Sequence, residues 1–205
     1  MDATLKLLAM QLREQLCKRR SDIVVCKGRF PKRQLFLALN ECRSIFAERF
    51  GGPVTSRWSV GKKWKPRKTK ILEYLVDYGI CRYSIPQAIR QRKQDKPKPE
   101  LQEAQFYEIL LGVESELGND DEVLRDFLKL LDIKSRIKCL VFYKRASEAK
   151  AIALFDRINW VISHHRSFDS EEGFLLVGLP KPKTATLVDD IGFWSIKDGK
   201  VIPLE

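Results

Sequence analysis

The sequence predicts an α/β protein in which helices flank a central mixed β-sheet, preceded by a helical N-terminal region. Three observations predict it. Beyond residue 105, short apolar runs of strand type alternate with amphipathic helical segments. Before residue 51, apolar residues recur instead at helical spacing. The chain closes on Lys197-Asp198-Gly199-Lys200, a turn suited to joining two antiparallel strands.

In chain order, Asp2 is placed to cap a helix in which Leu5, Leu8, Leu12 and Leu16 share a face. Residues 22–26 read as a short extended segment closed by Gly28 and Pro31. A second helix is expected over 34–50, with Leu35, Leu39, Cys42 and Phe46 inward, and Gly51-Gly52-Pro53 ends it. Residues 71–81 are dense in aliphatic and aromatic side chains and read as a buried strand with Asp77 near its middle. An ionised Asp buried there is costly unless paired or metal-bound; the alternative is an Asp that sits at a strand end and caps a turn. Residues 82–98 are polar, basic and marked by prolines, as expected of a short helical fragment and a linker. An apolar strand over 106–111 then leads into Gly112-Val113-Glu114-Ser115-Glu116-Leu117-Gly118-Asn119.

Asn119-Asp120-Asp121-Glu122 is a strong helix start. Asn119 is the N-cap, Glu122 returns the capping-box bond, and the acids complement the helix dipole. That helix is expected to reach Leu131, with Val123, Phe127, Leu130 and Leu131 inward and Asp126 beside Lys129 on its surface. A strand over 136–143, a helix over 148–163 (Ile152, Phe155, Ile158 and Ile162 inward) and a strand over 174–179 follow. Segments 191–195 and 200–204 form the final hairpin. By sequence the chain divides into an N-terminal helical region, 1–55, and a core, 56–205, with a basic insertion near 82–105.

Five scattered cysteines without a CxxC pair argue against a disulfide framework or a zinc site and suit a reducing, cytoplasmic setting. Charged residues in the first turns do not resemble a signal peptide, and no apolar run approaches the roughly 20 residues that span a membrane. The net charge of +11 is unevenly placed. Residues 1–50 hold 11 Lys/Arg against 5 Asp/Glu, residues 51–98 hold 13 against 3, and residues 99–205 hold 14 against 19. A basic front half joined to an acidic back half fits a polyanion-gripping surface beside a cation-binding centre. The grip is expected in 57–70, where Arg57, Lys62, Lys63, Lys65, Arg67, Lys68 and Lys70 interleave with Trp58 and Trp64 and no acid intervenes. The two rings either stack on bases or anchor the segment to the core.

Glu114 and Glu116, two apart on a strand, stand on one face. Carboxylates that close repel each other unless one is protonated or a cation lies between them. Hard divalent cations take oxygen ligands, commonly one or two carboxylates completed by water and phosphate.

In this order the acids and their elements resemble the PD-(D/E)xK nuclease superfamily, the restriction-endonuclease-like fold. Tyr74-Leu75-Val76-Asp77 matches its first acid, and Val113-Glu114-Ser115-Glu116 its acid-x-lysine motif. The segments 126–131 and 138–142 match its core helix and strand, so the resemblance covers about 70–180. It implies an Mg²⁺-dependent DNA endonuclease, with Mn²⁺ as a substitute metal, of restriction or defence type. Asp77, Glu114 and Glu116 would be its metal ligands, duplex DNA its partner and a homodimer a common state. Glu116 stands where the family has lysine. Some type II restriction enzymes of the superfamily are similar there, around 113–119. Other members move the lysine to the following helix, which here points to Lys129. The catalytic set implied is therefore Asp77, Glu114 and either Glu116 or Lys129.

Other residues have plainer readings. His164-His165 are polar end-of-helix residues, Glu73 and Glu108 surface acids, and Gly192-Phe193-Trp194 core. Ser115 faces away from the glutamates. The competing function is a non-catalytic nucleic-acid-binding protein that uses the same basic 57–98 surface.

Overall fold

Where the chain turns helical, strand-like or back on itself follows from the patterning above, with five departures. The structure, a computed structural model, describes residues 2–19, 32–51, 54–58, 76–84, 106–145, 147–165, 168, 171–180 and 190–204. In order these form α1 (Asp2–Lys18), α2 (Lys32–Glu41), α3 (Arg43–Phe50), β1 (Val54–Trp58), β2 (Tyr78–Ser84) and β3 (Phe106–Glu116). Then come α4 (Asp120–Asp132), β4 (Ile137–Tyr143), α5 (Glu148–His164), β5 (Gly173–Leu179), β6 (Gly192–Lys197) and β7 (Lys200–Pro203).

All seven strands join one sheet in simple sequential order. β1, β2 and β3 pair antiparallel, β3, β4 and β5 pair parallel, and β5, β6 and β7 return to antiparallel. The parallel joints need crossovers, which α4 and α5 supply. The two strands reached by those crossovers are buried along their whole length, as strands covered on both faces must be. One face packs against α1, α2 and α3 through Leu5, Leu8, Leu12, Leu16, Leu35, Leu39 and Phe46. The other packs against α4 and α5 through Val123, Phe127, Leu130, Leu154 and Ile158. Among the described residues no helix is long and apolar enough to cross a membrane.

The capping box at Asn119 forms as expected: its side chain accepts from Glu122 N–H at 3.0 Å, and Glu122 accepts from Asn119 N–H at 3.3 Å. The closing hairpin also forms, with Asp198 (φ 51°) and Gly199 (φ 73°) both in the left-handed region that a two-residue I′ turn requires.

The first departure is in the helix expected over 34–50, which divides at Cys42. There Cys42 N–H donates to Leu39 and Ile45 N–H to Cys42, three-residue bonds that tighten the chain and re-aim its apolar stripe. The second is β1, a strand that begins at Val54 where the sequence predicts none. The third concerns residues 71–81: β2 starts only at Tyr78 and runs through Ser84, so Asp77 precedes the strand rather than lying within it. A strand end lets the carboxylate reach side-chain donors while the neighbouring apolar residues stay buried. The fourth is that residues 82–84, read as the start of a linker, continue β2. The fifth is Ile152, expected inward yet 51% exposed, because Leu154 fills the core position on α5. The extended segment at 22–26, the stretch 59–75 and the helical fragment at 86–92 lie outside the described residues.

A bulge in the β2–β3 pairing matters to the site. Ile80 pairs with Leu111 and Cys81 with Ile109, leaving Leu110 as the extra residue. Leu110 and Leu111 consequently both reach the core under α1–α3, and the alternation downstream is reset. From there Val113 and Ser115 face the N-terminal helices, while Gly112, Glu114 and Glu116 face α4.

Candidate functional site

Asp77, just before β2, lies beside the end of β3 because the two strands run antiparallel. Its Oδ2 accepts three hydrogen bonds: from Ser115 N–H at 3.1 Å, from Ser115 Oγ at 2.7 Å and from Lys32 Nζ at 3.1 Å. Ser115 is fully buried, so two of the three donors are fixed by the core. Oδ1 has no hydrogen-bond partner among the described residues.

Glu114, only 5% exposed, projects from β3 toward α4. Its pKa is pushed up to about 8, first by burial and then by the negative charges of Asp77 and Asp126; Lys129 and Lys32 act in the opposite direction. At neutral pH it therefore holds a proton that a solvent-exposed glutamate would have lost.

Asp126 and Lys129 come from one turn of α4. Lys129 Nζ donates to the buried Asp126 at 2.5 Å, and this bond first, then Glu114, Asp126 and Asp77, hold its pKa above the usual lysine range even though burial lowers it. The structure thus brings together Asp77, Glu114 and Lys129 of the residues singled out from sequence, and adds Asp126, Ser115 and Lys32. The centre draws on both layers, with Lys32 at the start of α2 on one side and Asp126 and Lys129 of α4 on the other.

Glu116 is placed differently. Its Oε1 accepts from Gly118 N–H at 2.7 Å, which draws the carboxylate into the turn entering α4. Gly118 permits this approach, since a Cβ there would lie 2.7 Å from Glu116 Oε1 and 1.9 Å from Glu122 Oε2. Of the basic segment only Arg57 lies within a described element, at the edge strand β1. Lys62, Lys63, Lys65, Arg67, Lys68 and Lys70 lie outside the described residues, as does Glu73.

The remaining candidates have structural roles. Glu108 pairs with Arg82 and with Arg136 (2.6 Å), and these cations hold its pKa below the usual range against the opposing effect of burial. His165 ends α5 and reaches Asp132 at 3.5 Å, while His164 stacks on Trp160. Trp194 packs on Phe142 and Phe155 in the core.

Signals for these three added members were present in the sequence. Asp126 sits three residues before Lys129, Ser115 points from β3 to the face opposite Glu114, and Lys32 belongs to a basic pair of its own. None reveals which distant element it meets. Among the described residues no group of three or more His, Cys, Asp or Glu has the arrangement to hold a metal ion. The oxygen donors that a hard cation would have here are Glu114 and Asp77 Oδ1, a number of carboxylates such ions commonly use. Compared with family models, curated proteins and solved structures, the chain matches none.

Proposed function

We propose that the chain is a metal-dependent endonuclease that hydrolyses DNA phosphodiester bonds, of restriction or defence type, acting in the cytoplasm on duplex DNA, with a homodimer as the form that cuts both strands. The observation that carries this reading is the meeting of Asp77, Glu114 and Lys129. An acid before one strand, an acid on its antiparallel neighbour and a lysine in the last turn of the next helix act on one another electrostatically, in the order of a restriction-endonuclease-like core.

Asp77 Oδ1 and Glu114 would hold Mg²⁺, or Mn²⁺ in its place. Such an ion supplies a Lewis acid for the phosphate and lowers the pKa of water. Glu114 must lose its proton to act as a ligand, so activity rises toward pH 8 and above. Lys129, fixed by Asp126, is a preorganised cation for charge that develops on the phosphate, without reorganisation at the moment of reaction. The tie between Glu116 and Gly118 favours Lys129 for the lysine role and gives Glu116 the task of shaping the turn. Ser115 fixes Asp77. The basic residues of 57–70 would grip the backbone in a salt-sensitive manner.

The test is incubation of supercoiled plasmid, single-stranded DNA and RNA with Mg²⁺ or Mn²⁺, beside Glu114→Ala and Lys129→Ala. Metal-dependent nicking lost in both variants is expected. A clean wild-type protein that nicks nothing with any metal, or a Glu114→Ala variant that cuts equally well, refutes the proposal.

A second reading rests on the lysines already paired with Asp77 and Asp126: the acids form an internally neutralised structural cluster, and the protein binds nucleic acid without cutting it. It predicts salt-sensitive binding indifferent to metal and to Glu114.

A further inference from the structure

Among the described residues, Lys32 is the cation that the N-terminal helices supply to this centre, and nothing described in those helices explains it. It is the first residue of α2, whose first turn carries no acid. A positive side chain at the positive end of a helix is unfavourable by about 0.3–1 kcal/mol, so Lys32 is not there to stabilise α2.

Nor is it needed to hold Asp77. Ser115, fully buried, already gives the same Oδ2 two hydrogen bonds, at 2.7 and 3.1 Å. The Lys32–Asp77 pair is half open to water, with side-chain exposures of 47% and 27%, and such pairs contribute only about 0–1 kcal/mol. Lys129 differs, since its partner Asp126 has a side chain only 11% exposed. Of the two lysines, Lys32 is therefore the one that can exchange partners at little cost.

An incoming phosphate meets the carboxylates of Asp77 and Asp126 here. A cation that can leave Asp77 for a non-bridging phosphate oxygen offsets that repulsion. It also leaves Asp77 anchored by Ser115.

Resting on the nuclease reading, we propose that Lys32 is a substrate-binding residue of this site: its ammonium rests on Asp77 and transfers to a backbone phosphate when DNA docks. The N-terminal helical region thereby supplies part of the substrate-binding surface and not the scaffold alone.

The test measures binding of a short fluorescent duplex by anisotropy from about 50 to 200 mM NaCl without divalent metal, where each phosphate contact contributes about 0.9 to the slope of log K against log salt. Lys32→Ala lowers the slope by about one unit and Lys32→Arg restores it. Asp77→Asn tightens binding more when Lys32 is present than in the Lys32→Ala background, because only then does it release a cation. Melting of Lys32→Ala stays within about 2–4 °C of wild type, as expected on losing an exposed pair. Should the alanine variant melt earlier, Lys32→Gln replaces it in the same series.

An unchanged slope on loss of Lys32, or an Asp77→Asn gain independent of Lys32, in a wild-type protein that binds and cuts DNA, overturns the role of Lys32 alone. A wild-type protein that binds no DNA at any salt overturns this proposal together with the nuclease reading.

Discussion

Replacing Glu114 by Gln removes the group whose proton the fold retains. In the folded chain its pKa is about 8, against an ordinary 4.5, through burial reinforced by Asp77 and Asp126 and opposed by Lys129 and Lys32. Below about pH 4.5 both folded and unfolded chains carry the proton, and the site imposes no electrostatic cost. Between about 4.5 and 8 the folded chain binds more protons than the unfolded one, so stability falls as pH rises. Above about 8 both are ionised and the loss is complete. At about 1.36 kcal/mol per pKa unit, this shift sets a ceiling of about 5 kcal/mol. Entry of water around the ionised carboxylate reduces the swing to about 2–3 kcal/mol, or about 5–10 °C in melting temperature for a chain of this size. Glu114→Gln mimics the protonated acid and lacks this dependence. Thermal melts of both proteins from pH 5 to 9 should nearly coincide at the acid end, with the variant the more stable at the alkaline end by about 5–10 °C. Mn²⁺ at pH 9 should raise the wild-type melting point and leave the variant unmoved. A constant difference between the two proteins across that pH range refutes the assignment of a retained proton to Glu114.

The buried ion pair of Lys138 offers a contrasting case. Lys138 is 1% exposed, 2.5 Å from Glu172 and 3.1 Å from the Leu131 carbonyl, so Lys138→Ala strands a carboxylate and should cost about 3–5 kcal/mol in urea unfolding, while Lys138→Met with Glu172→Gln recovers most of it. Asn119→Ala and Gly118→Ala each open the capping box of α4 and should each lower stability by about 1 kcal/mol in the same assay. Ser115→Ala removes the 2.7 Å bond to Asp77; we expect a loss of about 1.5–3 kcal/mol in stability, and a fall in DNA nicking without loss of DNA binding. In thiol titration of the native protein, exposed Cys17 should react at once, whereas Cys42, buried and with its pKa pushed up to about 12, should react only on unfolding.

The parts of the fold that were legible in sequence are those fixed by local physics. The Asn119 capping box, the Asp198-Gly199 turn and the apolar runs of β3, β4 and β5 depend on neighbours in the chain, and they formed where expected. What was hidden depends on partners far away. Cys42 reads as one more position on an apolar face, and the tightening there belongs to how two short helices pack on the sheet. β1 carries Thr55, Ser56 and Arg57 and becomes a strand through pairing with β2. At the site, Glu114 was legible because a strand run ending in acids is conspicuous. The bond from Ser115 to Asp77 spans 38 positions and that from Lys32 spans 45, and no spacing rule reaches so far.

The position of the site follows from the sheet. β3 is the strand at which pairing changes from antiparallel to parallel. The antiparallel partner returns Asp77 to the end of β3, and the parallel partner requires a crossover helix that starts at that end and carries Asp126 and Lys129 back over the face. The opposite face is closed by α1, α2 and α3, whose leucines share one core with Tyr78, Val113 and Val141. Lys32 consequently reaches Asp77 from the layer opposite α4. The boundary drawn near residue 55 from composition divides neither the core nor the site: a chain beginning at residue 56 would lose the apolar cover over β2, β3 and β4 together with one of the two lysines that balance the acids. The charge cluster at Glu114 therefore draws on helices whose Lys32-Arg33 pair, read alone, suggested no more than a phosphate contact.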